Sequence, residues 1–116
     1  MLSRIDYFSD TQRLQRFKRV VIDVAGSGDN TIVAAVTGKI IRVYQVVLIA
    51  AGTVVTTWQS GAGGTPITGG MTLAVNTGYA PPWCPAGHFQ TAEGALLNLS
   101  LSAAVSVDGW LIYAEV

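Results

Sequence analysis

A chain of 116 residues has room for one domain and little more. Half of it is hydrophobic and only 12% is charged, against about 25% in ordinary soluble domains, so its surface is expected to be partly apolar and to associate. The net charge is zero but unevenly spread, so nucleic acid is a rival partner for the basic N-terminal part, although no basic residue beyond Arg42 extends that patch and no nucleic-acid partner is expected; the single cysteine, Cys84, excludes an intrachain disulfide.

Residues 1–19 differ from the rest. Arg4, Arg13, Arg16, Lys18 and Arg19 face only Asp6 and Asp10 there, a balance of +3, whereas the remainder sums to −3. The segment is too polar for a signal peptide and too short for a helix that stands alone. It reads as an arm that binds something else. Tyr7, Phe8, Leu14 and Phe17 supply apolar anchors, and Arg4, Arg13, Arg16 and Arg19 supply charge.

From Val20 onward the pattern is strand, turn, strand. Val20 to Val24 is apolar and β-branched, and Gly26 to Asn30 is a turn cluster. Strands are predicted at Thr31 to Val36, Lys39 to Ile49, Thr53 to Gln59 and Met71 to Val75, with a short piece around Ile67. The apolar stretch Ile40 to Val55 contains Arg42, Gln45 and Gly52 and falls short of the roughly 20 residues of a membrane helix. Asn76 to Gly87 reads as a connection rich in Pro and Gly. Leu96 to Ser102 alternates Leu97, Leu99 and Leu101 with Asn98, Ser100 and Ser102, as a strand with one face in water does. A last strand is predicted from Gly109 to Val116. About eight short strands without a central helix predict an all-β protein, a β-sandwich over residues 20–116 behind an N-terminal arm, 1–19.

Two strands are apolar on both faces. Ile40 to Ile49 splits into Ile41, Val43, Gln45, Val47 and Ile49 against Ile40, Arg42, Tyr44, Val46 and Leu48. The last strand splits into Trp110, Ile112, Ala114 and Val116 against Leu111, Tyr113 and Glu115. One face is expected on the sandwich core and the other against a neighbouring subunit.

Groups for catalysis are few. His88 is the only histidine, and no G-x-S-x-G elbow or phosphate-binding G-x-x-x-x-G-K-[ST] loop is present. Asp23, Asp29 or Asp108 could supply an acid beside His88, but no nucleophile is marked. Cys84 and His88 have ligand-like spacing but cannot complete a four-ligand zinc site. Asn98-Leu99-Ser100 fits a glycosylation sequon inside an alternating strand. Trp58, Trp83, Trp110 and Tyr79 could line a sugar site, although aromatics in a small sandwich more often anchor a core or an interface. No enzyme, metal or cofactor is expected.

The run Gly78-Tyr79-Ala80-Pro81-Pro82-Trp83, followed by Pro85-Ala86-Gly87-His88-Phe89-Gln90-Thr91, by Gly94 to Ala104 and by Gly109 to Val116, resembles small proteins of tailed-phage structural gene clusters. These are trimeric jelly rolls, like tumour necrosis factor, that decorate or cement capsids. The likeness lies in strand pattern and loop composition over residues 20–116. It implies a jelly-roll β-sandwich, a homotrimer packed through its inner sheets, and a virion location on the capsid surface with the major capsid protein as partner. Combined with the doubly apolar strands, it places Arg42, Tyr44, Val46, Leu48, Leu111 and Tyr113 at the trimer interface. A tail, fibre or spike component and a sugar-binding β-sandwich module are the alternatives.

Overall fold

The computed structural model describes residues 17–116. They form ten strands: β1 Lys18–Val24, β2 Gly28–Val33, β3 Ile41–Ala50, β4 Val54–Ser60, β5 Thr65–Pro66, β6 Met71–Leu73, β7 Thr77–Tyr79, β8 Phe89–Gln90, β9 Leu97–Leu101 and β10 Val107–Glu115. No helix occurs among the described residues. Two five-stranded antiparallel sheets pack face to face. One runs β1-β10-β3-β7 with β8 also on β3, the other β2-β9-β4-β5 with β6 also on β4.

The long strands lie where β-branched alternation predicts them, displaced by a few residues at their ends. Three differences carry a physical reason. β1 begins at Lys18, because Lys18 and Arg19 already pair with Tyr113 and Ile112; these two residues, expected ahead of the first strand, are part of it. β2 begins at Gly28, inside the predicted turn, because Asn30 Nδ2 ties the turn to the Gly26 and Gly28 carbonyls while the backbone already pairs with β9. β7 and β8 lie where a loop and unassigned residues were expected. Strands of three and two residues carry too little alternation to be read from sequence, and they form because the open edge of β3 offers unpaired backbone groups.

The core lies between the sheets. Ile22, Ile41, Val43, Val46, Leu48, Val107 and Leu111 from one sheet meet Val54, Trp58, Leu97, Leu99 and Leu101 from the other, all essentially sealed from solvent. β3 does not alternate strictly. Ile112 pairs with Gln45 but Tyr113 pairs with Val43, so Tyr44 is an extra residue in a β-bulge. Ahead of the bulge the odd positions Ile41 and Val43 face the core; after it the even positions Val46, Leu48 and Ala50 do.

β9 turns its leucines inward, as expected, but its other face is not simply wet. Asn98 is fully buried. Its Nδ2 donates to Asp29 Oδ1 at 2.9 Å and Gln59 Oε1 at 2.7 Å, and its Oδ1 accepts from the Asn30 amide at 2.8 Å. Asp29 Oδ1 also accepts the Gly63 amide at 3.1 Å. A buried amide is stable only when its donors and acceptor are paired, as these are. The network pins the 61–64 loop onto β2 and β9.

Candidate interaction surface

The bulge decides which side chains the larger sheet presents outward. Ile22 and Leu111 are fully buried, so Val21, Asp23, Trp110 and Ile112 point the opposite way, and beyond the bulge so do Gln45, Val47 and Ile49. The ladder sets them in rows across three strands: Arg19, Ile112 and Gln45; then Val21, Trp110 and Val47; then Asp23, Asp108 and Ile49. Val21 is 66% exposed and Ile49 54%. The loop that carries Trp83 and Gly87 lies over the bulge end of this face, against Tyr44 and Arg42, and Ala114 is fully buried there, whereas Gln45, Val47, Trp110 and Ile112 are half-buried.

Aromatic rings occupy the end of the face near the bulge. Phe17 meets Tyr44 edge-on at 5.1 Å and Trp83 at 5.1 Å, and Tyr44 stacks on Trp83 at 5.2 Å. Each such pair contributes roughly 0.5–1.5 kcal/mol beyond area burial. Phe17 and Trp83 remain nearly half exposed. The Arg19 guanidinium lies over the Trp110 ring, 5.9 Å from its centroid. Arg42 Nε donates to Gln90 Oε1 at 2.8 Å, and Lys18 pairs with Glu115 at 3.1 Å, an exposed pair worth at most about 1 kcal/mol.

The expected trimer interface therefore needs correction. Val46, Leu48 and Leu111 are core residues of this chain and cannot meet another. Tyr113 packs against the same core, and Tyr44 is covered by Phe17 and Trp83. Arg42 bonds Gln90 on the outer side of β3. On β3 the extra residue at Tyr44 reverses the faces that strict alternation assigned to Val46 and Leu48; β10 alternates without interruption, and there the face expected outward, with Leu111 and Tyr113, is the one the structure turns to the core. Of the expected arm residues, Phe17 and Arg19 lie on this face; Arg4, Tyr7, Phe8, Arg13, Leu14 and Arg16 lie outside the described residues.

The groups weighed for chemistry are dispersed. His88 Nε2 lies 2.7 Å from the Pro82 carbonyl, and Cys84 Sγ points at the Gly87 carbonyl at 3.7 Å, so both are tied within their own loop. Among the described residues no three His, Cys, Asp or Glu side chains group as metal ligands. The four aromatics considered for a sugar do not converge. Trp83 and Trp110 lie on the outer face, whereas Trp58 and Tyr79 line a cleft of about 560 Å³ at the sandwich edge with Met71, Pro81, His88 and Phe89. There Trp58 Nε1 donates to the Tyr79 hydroxyl at 3.0 Å, and Thr56 Oγ1 lies 3.3 Å from it. Burial pushes the Tyr79 phenol above its ordinary value, against the opposing hydrogen bonds with Thr56 and Trp58. These polar atoms bond one another rather than awaiting a ligand's hydroxyls. No helix among the described residues is long and apolar enough to cross a membrane.

Comparisons with family models, with curated proteins and with solved structures find no match to this chain.

Proposed function

We propose that the protein is a structural virion subunit, a capsid decoration protein with a jelly-roll fold, that associates with copies of itself and attaches to the major capsid protein. The observation carrying this reading is the apolar outer face of the larger sheet, where among the described residues Val21 and Ile49 are exposed and Val47, Trp110 and Ile112 half-buried, on a chain with only 12% charged residues. Such a face costs solubility unless a partner covers it.

The jelly-roll assignment draws support from strand order. If β5 and β6 are one interrupted strand on β4, and β7 and β8 one interrupted strand on β3, eight strands remain. Their order is then first, eighth, third, sixth in one sheet and second, seventh, fourth, fifth in the other, the arrangement two Greek keys generate. Attachment falls to the segment ahead of β1, where Arg4, Arg13 and Arg16 alternate with Tyr7, Phe8 and Leu14. Aromatic and arginine anchors are typical of binding hot spots. Sixteen residues span up to roughly 55 Å when extended, enough to reach a neighbouring capsid subunit.

The test is deletion of residues 1–16, which leaves Phe17 and the whole of β1 in place. The full chain is expected to bind particles stripped of it, and the shortened chain to stay folded but fail to bind. Equal binding by both assigns attachment to the sandwich; binding by neither refutes the capsid reading.

A further inference from the structure

The outer face of the larger sheet is patterned as well as apolar. Its middle row is Val21, Trp110 and Val47. Arg19 stands one row toward the bulge end, and Arg42 lies beyond it on β3. One row toward the other end, Asp23 and Asp108 are directly opposite each other across the β1–β10 ladder. Like charges facing across a ladder destabilise it. Among the described residues, no Lys or Arg forms an ion pair with either carboxylate; Asp108 only accepts from Ser106 Oγ at 3.4 Å. The cations at the opposite end are likewise without a carboxylate: Arg19 lies over Trp110 and Arg42 bonds Gln90. Arg19 one row to one side of the Val21–Trp110–Val47 row and Asp23 one row to the other make the β1 side of this face complementary to itself when turned end for end.

We propose that this face is a homotypic interface on which a second copy packs sheet against sheet, related by a two-fold axis running across the strands. In that arrangement Arg19 of each copy meets Asp23 of the other, and the Val21–Trp110–Val47 rows cover one another. A patch used by both subunits in the same way is what a two-fold interface requires. A three-fold arrangement with strands along the axis would instead bring the Asp23–Asp108 pairs of neighbouring copies to one level, where they repel. Three strands at about 4.8 Å spacing and seven residues at about 3.3 Å give a flat area of roughly 14 by 23 Å. That is below the size of a tight interface, so the pair is expected at tens of micromolar chain. The pairing does not depend on the capsid reading, since it is a property of the free protein.

The experiment is sedimentation of the full chain over a concentration series, with variants on exposed positions. The wild type is expected to reach two chains. Val21→Lys and Arg19→Glu should each weaken association by about tenfold or more, while circular dichroism stays unchanged. The double variant Arg19→Glu with Asp23→Arg should recover much of the loss, because exchanging the charges re-forms the pairs across a two-fold and nowhere else. Added salt should weaken the wild-type pair in part, the apolar rows remaining. A monomer at every concentration, a three-chain assembly, an assembly indifferent to Val21→Lys, or no recovery in the double variant would each overturn the proposal.

Discussion

Leu111 and Val21 allow core and surface to be told apart by two substitutions in neighbouring strands. Leu111 is fully buried between the sheets, whereas Val21 is 66% exposed on the outer face. Truncating a fully buried leucine removes its transfer free energy and leaves a cavity, at a cost of roughly 2–5 kcal/mol. A domain of this size holds about 5–15 kcal/mol in all, and each kcal/mol moves the melting midpoint by about 4–8 °C. Leu111→Ala should therefore lower the midpoint by at least about 10 °C. Val21→Ala should lie within about 0.5 kcal/mol of wild type in the monomer. The assay is denaturant unfolding at two protein concentrations roughly a hundredfold apart, because only stability contributed by a partner follows mass action. The Leu111→Ala loss should be equal at both concentrations; any Val21→Ala loss should appear only at the higher. Unchanged stability of Leu111→Ala at low concentration, with a loss confined to high concentration, would put Leu111 at an interface and refute the assignment of faces.

Four further outcomes are expected. Asn98→Ala removes the acceptor of the part-buried Asn30 amide and both donors to Asp29 and Gln59, and should cost about 2–4 kcal/mol in the same unfolding assay. Cys84→Ser should cost no more than about 1 kcal/mol, because the thiol is only partly buried and a hydroxyl can donate to the same Gly87 carbonyl; loss of the fold would contradict this. Gly87 has φ +87° and a Cβ there would sit 2.7 Å from Arg42 Cγ, so Gly87→Ala should destabilise by about 1–2 kcal/mol and loosen the Arg42–Gln90 bond, visible as altered amide exchange in β8. Tyr79 keeps its proton longer when folded than when unfolded; above its ordinary value of 10.0 the unfolded chain has released a proton that the folded chain still binds, so stability falls as pH rises. In thermal melts across that range Tyr79→Phe should start lower, having lost the bond to Trp58, but decline less steeply.

Much of the fold is legible in the sequence because its long strands satisfy local rules. β3, β4, β9 and β10 are β-branched or alternating over five to ten residues, so their existence follows from period and propensity. β5, β7 and β8 are too short to carry a period. They owe their extended form to edges of β3 and β4 that are created only when the sheets assemble. Asn98 shows the same limit in a side chain. Alternation places it opposite the leucines of β9, and only the approach of Asp29, 69 residues away, and Gln59 on β4 makes it a buried pin rather than a wetted amide.

The interaction surface is half legible, and on β3 one residue accounts for what is not. That two strands are apolar on both faces is visible in the sequence and implies a face in need of cover. Which face that is depends on parity, and parity along β3 survives only while every residue has one partner. The register shifts at Tyr44, so every residue of β3 beyond it exchanges sides relative to strict alternation. Nothing in the apolar string Val43, Tyr44, Gln45, Val46, Val47 marks the insertion, because a tyrosine and a valine suit either face of a sheet. The physical reason for the bulge lies outside the strand. Tyr44 is swung outward into the rings of Phe17 and Trp83, residues supplied by the position just ahead of β1 and by the loop before β8, and its carbonyl accepts the Cys84 amide at 3.0 Å. Thus the same bulge buries Val46 and Leu48 and leaves Val47 and Ile49 outward beside Trp110. The rows of the outer face, and the opposition of Arg19 to Asp23 and Asp108 along it, exist only in the assembled ladder.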